Sequence, residues 1–417
     1  MTQVATTARS AGTLPFDTRT DAILAQLEAA GQFKHLRMLE GPMDAVVKVR
    51  GYGECACFCS NNYLGLANHP EIIEAGAKAL RDYGAGTASV RFICGTFTPH
   101  ETLEATIAVY MGTEASYSFV SAWTANEAVF PTLCEPGDYI ISDELNHACI
   151  IDSIRLATVI KKGINKTVYK HNVLAGAGSL EERLNDAAKA TKGTGANGAD
   201  GQIWVVTDGV FSMEGDIADL AAMRRMTSQQ NALLVVDDSH GHGVMGQTGR
   251  GTHEHFHLVG KIDLFTGTLG KALGGAAGGF VAASKQATEL LIQRGRPTLF
   301  SNALPVTVAC SANKAIEVLM REPQRVQKLR DNSAYARTQI RAAGFTVGDS
   351  PTAICPIIVH DTAKAIAMSK RLLELGIFVI GFGYPVVPEG HARLRVQISA
   401  AHEKMHIDAL VSALKKL

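Results

Sequence analysis

Leu233-Leu234-Val235-Val236-Asp237-Asp238-Ser239-His240 is the stretch on which the fold turns. Four apolar residues running into acids read as a buried parallel strand whose carboxyl end opens into a site. Ligands of open α/β sheets bind at that end of the strands. Beyond Asp263 comes a second short apolar run, Leu264-Phe265-Thr266-Gly267-Thr268-Leu269-Gly270-Lys271. Gly270 before the lysine, and Gly274, Gly275, Gly278 and Gly279 after it, strip the backbone of side chains. That suits a lysine reaching something bulky and flat that lies close to the chain.

An acid at one strand end and a lysine at another are what pyridoxal phosphate (PLP) chemistry needs. The lysine forms a Schiff base with the cofactor aldehyde, and the acid pairs with the pyridinium nitrogen. The plainer alternative makes Asp237 a helix cap and Lys271 a solvated loop residue. His240, three residues after Asp237, and the Gly/Thr wrapping of Lys271 weigh against it.

Outward from this stretch the chain alternates helix and strand signals, as an α/β sheet with crossover helices does. A helix is expected from Asp17 to Arg37, then a hairpin from Ala45 to Cys59 turning at Gly51 and Gly53. Helices follow over Pro70–Tyr83 and Thr98–Met111, the latter closed by Gly112. Strands are read at Ala115–Val120, Tyr139–Ser142 and Ile203–Thr207, with a mobile glycine-rich surface insert at Lys192–Gly201. After Pro297 the pattern changes. Helices at Val306–Met320, Pro323–Ala343 and Thr362–Leu375 alternate with strands at Ala353–Val359 and near Phe378 and Leu394, before a last helix from Glu403. We therefore expect an N-terminal helix-and-hairpin segment (1–59), a large domain (60–300) and a small C-terminal α/β domain (301–417).

Composition narrows the class. At 417 residues the chain exceeds one ordinary core. Lys plus Arg and Asp plus Glu are both 40, a balance that argues against nucleic acid or an anionic membrane as partner and gives little protection against self-association. No stretch approaches the ~18 uncharged apolar residues of a membrane span. The eight cysteines contain no CxxC and read as reduced thiols of a cytoplasmic protein. Cys55, Cys57 and Cys59 alternate on one strand face without a second ligand pair, so no metal site is expected there. The first sixteen residues contain no acid and one basic residue, Arg9, and read as a disordered tail rather than a transit peptide.

Further motifs each meet one need of PLP chemistry. Ser121-Ala122-Trp123-Thr124-Ala125-Asn126 follows a strand and opens a helix whose free N–H groups suit a phosphate, although an ordinary Ser cap looks the same. Asn146-His147-Ala148 puts an imidazole at a strand end, and Asp208-Gly209-Val210-Phe211-Ser212 puts Ser212 past another. With SNNYLGLANHP, GTASVRFICGT, DELNHACIID, TDGVFSMEGDIADL, VVDDSHGHGVMG, TGTLGKALGGAAGG and ARLRVQISAAH in order from residue 60 to 402, the chain resembles the α-oxoamine synthase family of PLP enzymes. RFICGT, NHACIID, TDGVFSM, RGRPTLFSNALP, FGYPVVP and QISAAH resemble its branch that joins glycine to acetyl-CoA.

The resemblance implies the fold-type-I, aspartate-aminotransferase-like PLP transferase fold. It implies Lys271 as the Schiff-base lysine, Asp237 on the pyridine nitrogen, His240 on the phenolic oxygen with Ser212 beside it, and His147 stacked on the ring. Backbone amides of Ala122 and Trp123 with the Thr268 hydroxyl would hold the phosphate. Ser301 and Asn302 would reach the phosphate of the other subunit of a homodimer with shared sites, and Asn61 and Arg395 would hold the amino-acid carboxylate. It further implies a Claisen condensation, with a threonine dehydrogenase as functional neighbour. Two alternatives stand beside it: a longer acyl-CoA with decarboxylation, and a non-catalytic regulatory subunit of the same fold. Phe92 and Ile93 are read as shortening the acyl pocket. His242 either covers a strand end or touches substrate, and His253-Glu254-His255-Phe256-His257 reads as a solvated loop rather than a metal site.

Overall fold

The computed structural model describes residues 15–384 and 386–417, so the expected N-terminal tail lies almost wholly outside the described residues. The first helix spans Pro15–Ala29 and buries none of its side chains. It is shorter than expected because Gly31 turns left-handed at φ +65°, leaving Phe33 and Leu36 beyond its end. Strands β1 (Val46–Val49) and β2 (Gly53–Cys57) form the expected antiparallel hairpin. Gly51 and Gly53 turn it with φ of +84° and +80°. Cys55 and Cys57 pack inward with Val47, Val49 and Leu373, and all eight cysteines are free.

Seven strands form the central sheet: β3 (Ala115–Phe119), β4 (Tyr139–Asp143), β5 (Asn165–Tyr169), β6 (Ile203–Asp208), β7 (Leu233–Asp237), β8 (Leu264–Thr268) and β9 (Gly279–Ala283). Their order is β3-β9-β8-β7-β6-β4-β5. β9 runs antiparallel to both neighbours, and every other pair is parallel. Side chains alternate along β7: Leu234 and Val236 enter the larger core, while Val235 joins Leu264 and Val281 in a second core across the sheet. Both faces are covered, which is why the stretch is a continuous apolar run. Each such side chain contributes about 1.5–3 kcal/mol by leaving water.

The parallel register brings polar ends together. Asp208 lies opposite Asp237, and Asp237 opposite Thr266. Helices connect these strands at the expected places. Pro70–Tyr83 carries Pro at its start and Gly84 at its end, and Thr98–Met111 ends on Gly112 at φ +71°. The 192–201 insert meets the loop before β4 at Thr194, whose Oγ1 donates to the Gly137 carbonyl.

The C-terminal part contributes β10 (Ile354–His360), β11 (Ile377–Phe378), β12 (Ile380–Phe382) and β13 (Ala392–Gln397). β10, β13 and β12 form an antiparallel sheet in that order. β11 instead extends the N-terminal hairpin, pairing parallel to β2 with Ile377 opposite Ala56. Residues near the two ends of the chain therefore close one sheet, and β13 carries Arg395 inward. Among the described residues, no helix is long and apolar enough to cross a membrane.

Candidate active site

At the end of β7, the Asp237 carboxyl is buried and held at both oxygens. Oδ2 accepts from Asn126 Nδ2 at 2.5 Å, and Oδ1 from the Ser239 N–H at 2.9 Å. Asn126 is fixed in turn by the Thr266 hydroxyl at 3.0 Å. One strand over, burial pushes the Asp208 carboxyl well above the usual range, with Asp237 adding to it. Asp208 accepts the His147 N–H at 3.0 Å. His147 caps the helix Ala148–Ile160: its Nδ1 accepts the Cys149 N–H at 3.2 Å and lies 2.9 Å from Cys149 Sγ. Because Nδ1 accepts a backbone proton, a neutral ring carries its own proton on Nε2. Desolvation of the ring on its site-facing side lowers the His147 pKa, with Asp237 opposing, although the residue keeps an exposed edge.

Lys271 is partly buried, and its Nζ lies 2.9 Å from His240 Nε2. Burial lowers its pKa to about 8, against the opposing pull of Asp237. Burial also pushes His240 well below the histidine range, and the Lys271 charge adds to the effect. His240 Nδ1 meets the Tyr63 hydroxyl at 2.9 Å. Gln397 Nε2 donates to that hydroxyl at 3.0 Å and to Asn61 Oδ1 at 2.5 Å. Arg395 Nε donates to the Ser212 carbonyl at 2.6 Å, so Ser212 meets the site through its backbone. The buried Arg395 Nη2 has no protein partner, leaving a guanidinium edge to receive an anion.

The other predicted residues surround a helix start. Ser121 caps the helix Ala122–Leu133 by accepting the Thr124 N–H at 3.1 Å. Ala122 and Trp123, as its first residues, present N–H groups that the helix cannot itself satisfy. Thr268 Oγ1 accepts the Gly270 N–H at 3.1 Å. The glycines after Lys271 have another reason than closeness to a flat ligand. A Cβ on Gly279 would lie 2.3 Å from the Ala122 nitrogen, and Gly278 adopts φ +101°, so these glycines let β9 approach the helix start. Ser301 and Asn302 border a small cavity with Arg91, Tyr117 and Ser118. Phe92 and Ile93, expected to line an acyl pocket, are instead 60% and 68% exposed on this chain.

The aminotransferase class I and II family model matches residues 54–414. The chain is 42% identical to the mitochondrial 2-amino-3-ketobutyrate coenzyme A ligase of Bos taurus, over 96% of this chain and 94% of that protein. It is 40% identical to an 8-amino-7-oxononanoate synthase of Alkaliphilus oremlandii, over 94% and 95%. The chain belongs to the α-oxoamine synthase family. Its fold is also that of the S. paucimobilis serine palmitoyltransferase with bound PLP–myriocin aldimine, at TM-score 0.85 and 28% identity over 97% of this chain and 98% of that one.

In this α-oxoamine synthase three site residues escaped the sequence reading: Asn126, Tyr63 and Gln397. All three lie inside quoted motifs, where an Asn in a helix, a Tyr among apolar residues and a Gln at a strand end look structural. His242 covers a strand end: a Cβ on Gly267, near the end of β8, would meet its ring at 2.6 Å. Its ring is buried, stacked on Phe280 at 5.3 Å, and neither ring nitrogen has a hydrogen-bond partner. His253 corrects the solvated-loop expectation, since it is fully buried in the short helix Thr252–His255 with its ring 4.6 Å from Phe265.

His171 is a further charged group beside the site. Its ring nitrogens lie 2.9 Å from Asp143 and 2.6 Å from Asp216, clamping β4 to the loop that carries Ser212. Burial opposes its charge, but the hydrogen bonds of Asp143 and Asp216 outweigh it and raise the pKa from 6.5 to about 10. The folded value lies above the unfolded one, so this stabilisation is full below the unfolded pKa and is lost as pH rises through the folded one. We expect His171→Gln to cost roughly 2 kcal/mol at pH 6, after allowing for solvent screening. Chemical denaturation at pH 6 and pH 10 checks this: the gap between wild type and variant should close at the higher pH.

Proposed function

We propose that this chain is a PLP-dependent acyltransferase that condenses glycine with acetyl-CoA to give 2-amino-3-oxobutyrate and CoA. The observation that carries the reading is the partly buried Lys271 amine held by His240 among the strand ends, in a site with the fixed Asp237 carboxyl and the unpaired Arg395 nitrogen. The donor set fits the cofactor: an amine for its aldehyde, an acid for its ring nitrogen, and a helix start for its phosphate. When bound, PLP supplies an electron sink that acidifies the α-proton of glycine.

The protein's own residues do the rest. Lys271 would hold the cofactor through its aldehyde and would serve as the base for the α-proton; a pKa of about 8 poises it for that task near neutral pH. Asp237, kept in place by Asn126, would pair with the ring nitrogen. His147 would stack on the ring, and His240 would meet the phenolic oxygen with Ser212 beside it. Ala122, Trp123 and Thr268 hold the phosphate. Asn61 and Arg395 bind the glycine carboxylate, for which a planar guanidinium is suited.

Acetyl-CoA is favoured by the likeness to the ketobutyrate ligase, and a longer acyl-CoA with decarboxylation is the second reading because the oxononanoate synthase is almost as similar. A non-catalytic role is disfavoured by the presence of Lys271, Asp237, His147 and Arg395 together. The enzyme acts as a homodimer in which Ser301 and Asn302 reach the partner's phosphate. Exposed Phe92, Ile93 and Phe300 support such an interface. It works in the cytoplasm, and its product couples it to a threonine dehydrogenase. Glycine added to the PLP-loaded protein should change the cofactor's visible spectrum. A colourless protein that takes up no PLP would overturn the reading.

A further inference from the structure

We propose that Tyr63 and Gln397 are positioning residues that link Lys271, through His240, to Asn61 at the carboxylate-binding end of the site. The proposal rests on the function proposed above and deepens it. The Tyr63 hydroxyl lies 2.9 Å from His240 Nδ1, 3.0 Å from Gln397 Nε2 and 3.4 Å from Asn61 Oδ1. His240 Nε2 lies 2.9 Å from Lys271 Nζ. An unbroken chain of hydrogen-bonding atoms therefore runs from the lysine to Asn61.

Donor counting gives this chain two settings. The Gln397 amide donates to the Tyr63 oxygen, which keeps one proton to give. If Tyr63 donates to His240 Nδ1, the neutral ring carries its proton on Nε2 and donates to an unprotonated Lys271 amine. If Tyr63 donates to Asn61 Oδ1, His240 carries its proton on Nδ1 and donates to Tyr63. Nε2 then accepts from a protonated Lys271. In the cofactor-free site the lysine thus has a matched partner whether or not it carries a proton, with no charge placed on His240; with the cofactor bound, the same Nε2 is the atom offered to the phenolic oxygen, and Tyr63 sets whether it donates or accepts there. Burial keeps His240 neutral and Tyr63 protonated, which both settings require. A carboxylate accepting from the Asn61 amide would make Asn61 Oδ1 a better acceptor and favour the second setting, coupling amino-acid binding to the lysine.

The scaffold holds the chain in place. The Tyr63 carbonyl accepts the Ala400 N–H at 2.7 Å, and Ser399 Oγ donates to the Asn62 carbonyl at 2.7 Å. The charged and titratable groups acting on Lys271 are Asp237, Arg395, Asp208 and Cys149; those acting on His240 are Lys271, Arg395 and His147. Tyr63→Phe removes the hydroxyl and leaves all of them in place.

The test uses full-length protein and two readouts. In PLP-loaded enzyme without acyl-CoA, exchange of the glycine α-proton into D2O is followed by NMR. In cofactor-free protein, the pH dependence of Lys271 labelling by an amine-reactive reagent is read by mass spectrometry. We expect Tyr63→Phe to slow exchange about 10- to 100-fold and to move the half-labelling pH by about half a unit or more, with PLP affinity retained. Gln397→Met, expected to act in the same direction, replaces Tyr63→Phe if that variant fails to fold. Exchange and labelling both unchanged in a folded variant would overturn the proposal. Wild-type enzyme that exchanges no glycine proton would instead refute the proposed function, and the relay with it.

Discussion

Lys271→Ala is expected to remove both the visible absorbance of the bound cofactor and turnover, with kcat falling at least about 10⁴-fold. The size follows from two roles lost together, the covalent attachment and the base. No described side chain duplicates the position: the lysine alone meets His240 Nε2, at 2.9 Å. The variant should keep its fold, because the amine makes one polar contact and the core around β7 and β8 is built from other residues. Absorbance spectra with and without PLP, followed by a turnover assay, check the expectation. A variant within tenfold of wild type would place the chemistry on another residue.

Arg395→Leu should raise the KM for glycine about 10- to 150-fold while changing the KM for acetyl-CoA little. A hydrogen bond to a charged group is worth about 1.5–3 kcal/mol, which converts to that range. The guanidinium is pre-set: the Ser212 carbonyl holds Nε at 2.6 Å, and Nη2 is buried without a protein partner. A carboxylate arriving there meets an oriented donor rather than a solvated one. Steady-state kinetics with each substrate varied in turn separate the two constants. Unchanged glycine affinity would remove Arg395 from the binding site.

Much of this site was legible because parallel strands write their ends into the sequence. An apolar run closed by an acid marks both a buried strand and the edge of a cleft, and three such ends carry Asp143, Asp208 and Asp237. Lys271 follows a fourth strand in the same way. What stayed hidden depends on partners far apart along the chain. Tyr63 and Gln397 are 334 residues apart, and nothing in either segment announces that β13 will run beside the loop after the hairpin. Asn126 was hidden for a different reason: a polar residue one turn into a helix looks solvent-facing until Asp237 is placed against it. Of the glycines after Lys271, Gly279 has a reason the sequence did not suggest, since it makes room for the backbone of the helix start at Ala122. Alternating histidines suggested solvent, yet the aromatic ring of Phe265 draws His253 into the core.

The acyl group is where the sequence said least, since Phe92 and Ile93 face outward on this chain. The most direct test of the account is therefore CoA release by the PLP-loaded enzyme with glycine against acetyl-, propionyl-, succinyl-, pimeloyl- and palmitoyl-CoA. A buried methylene is worth about 0.8 kcal/mol, so a pocket open to long chains would favour them roughly fourfold per carbon. The account predicts the highest kcat/KM with acetyl-CoA and no release of carbon dioxide. A kcat/KM that rises with chain length, with decarboxylation on the enzyme, would contradict it.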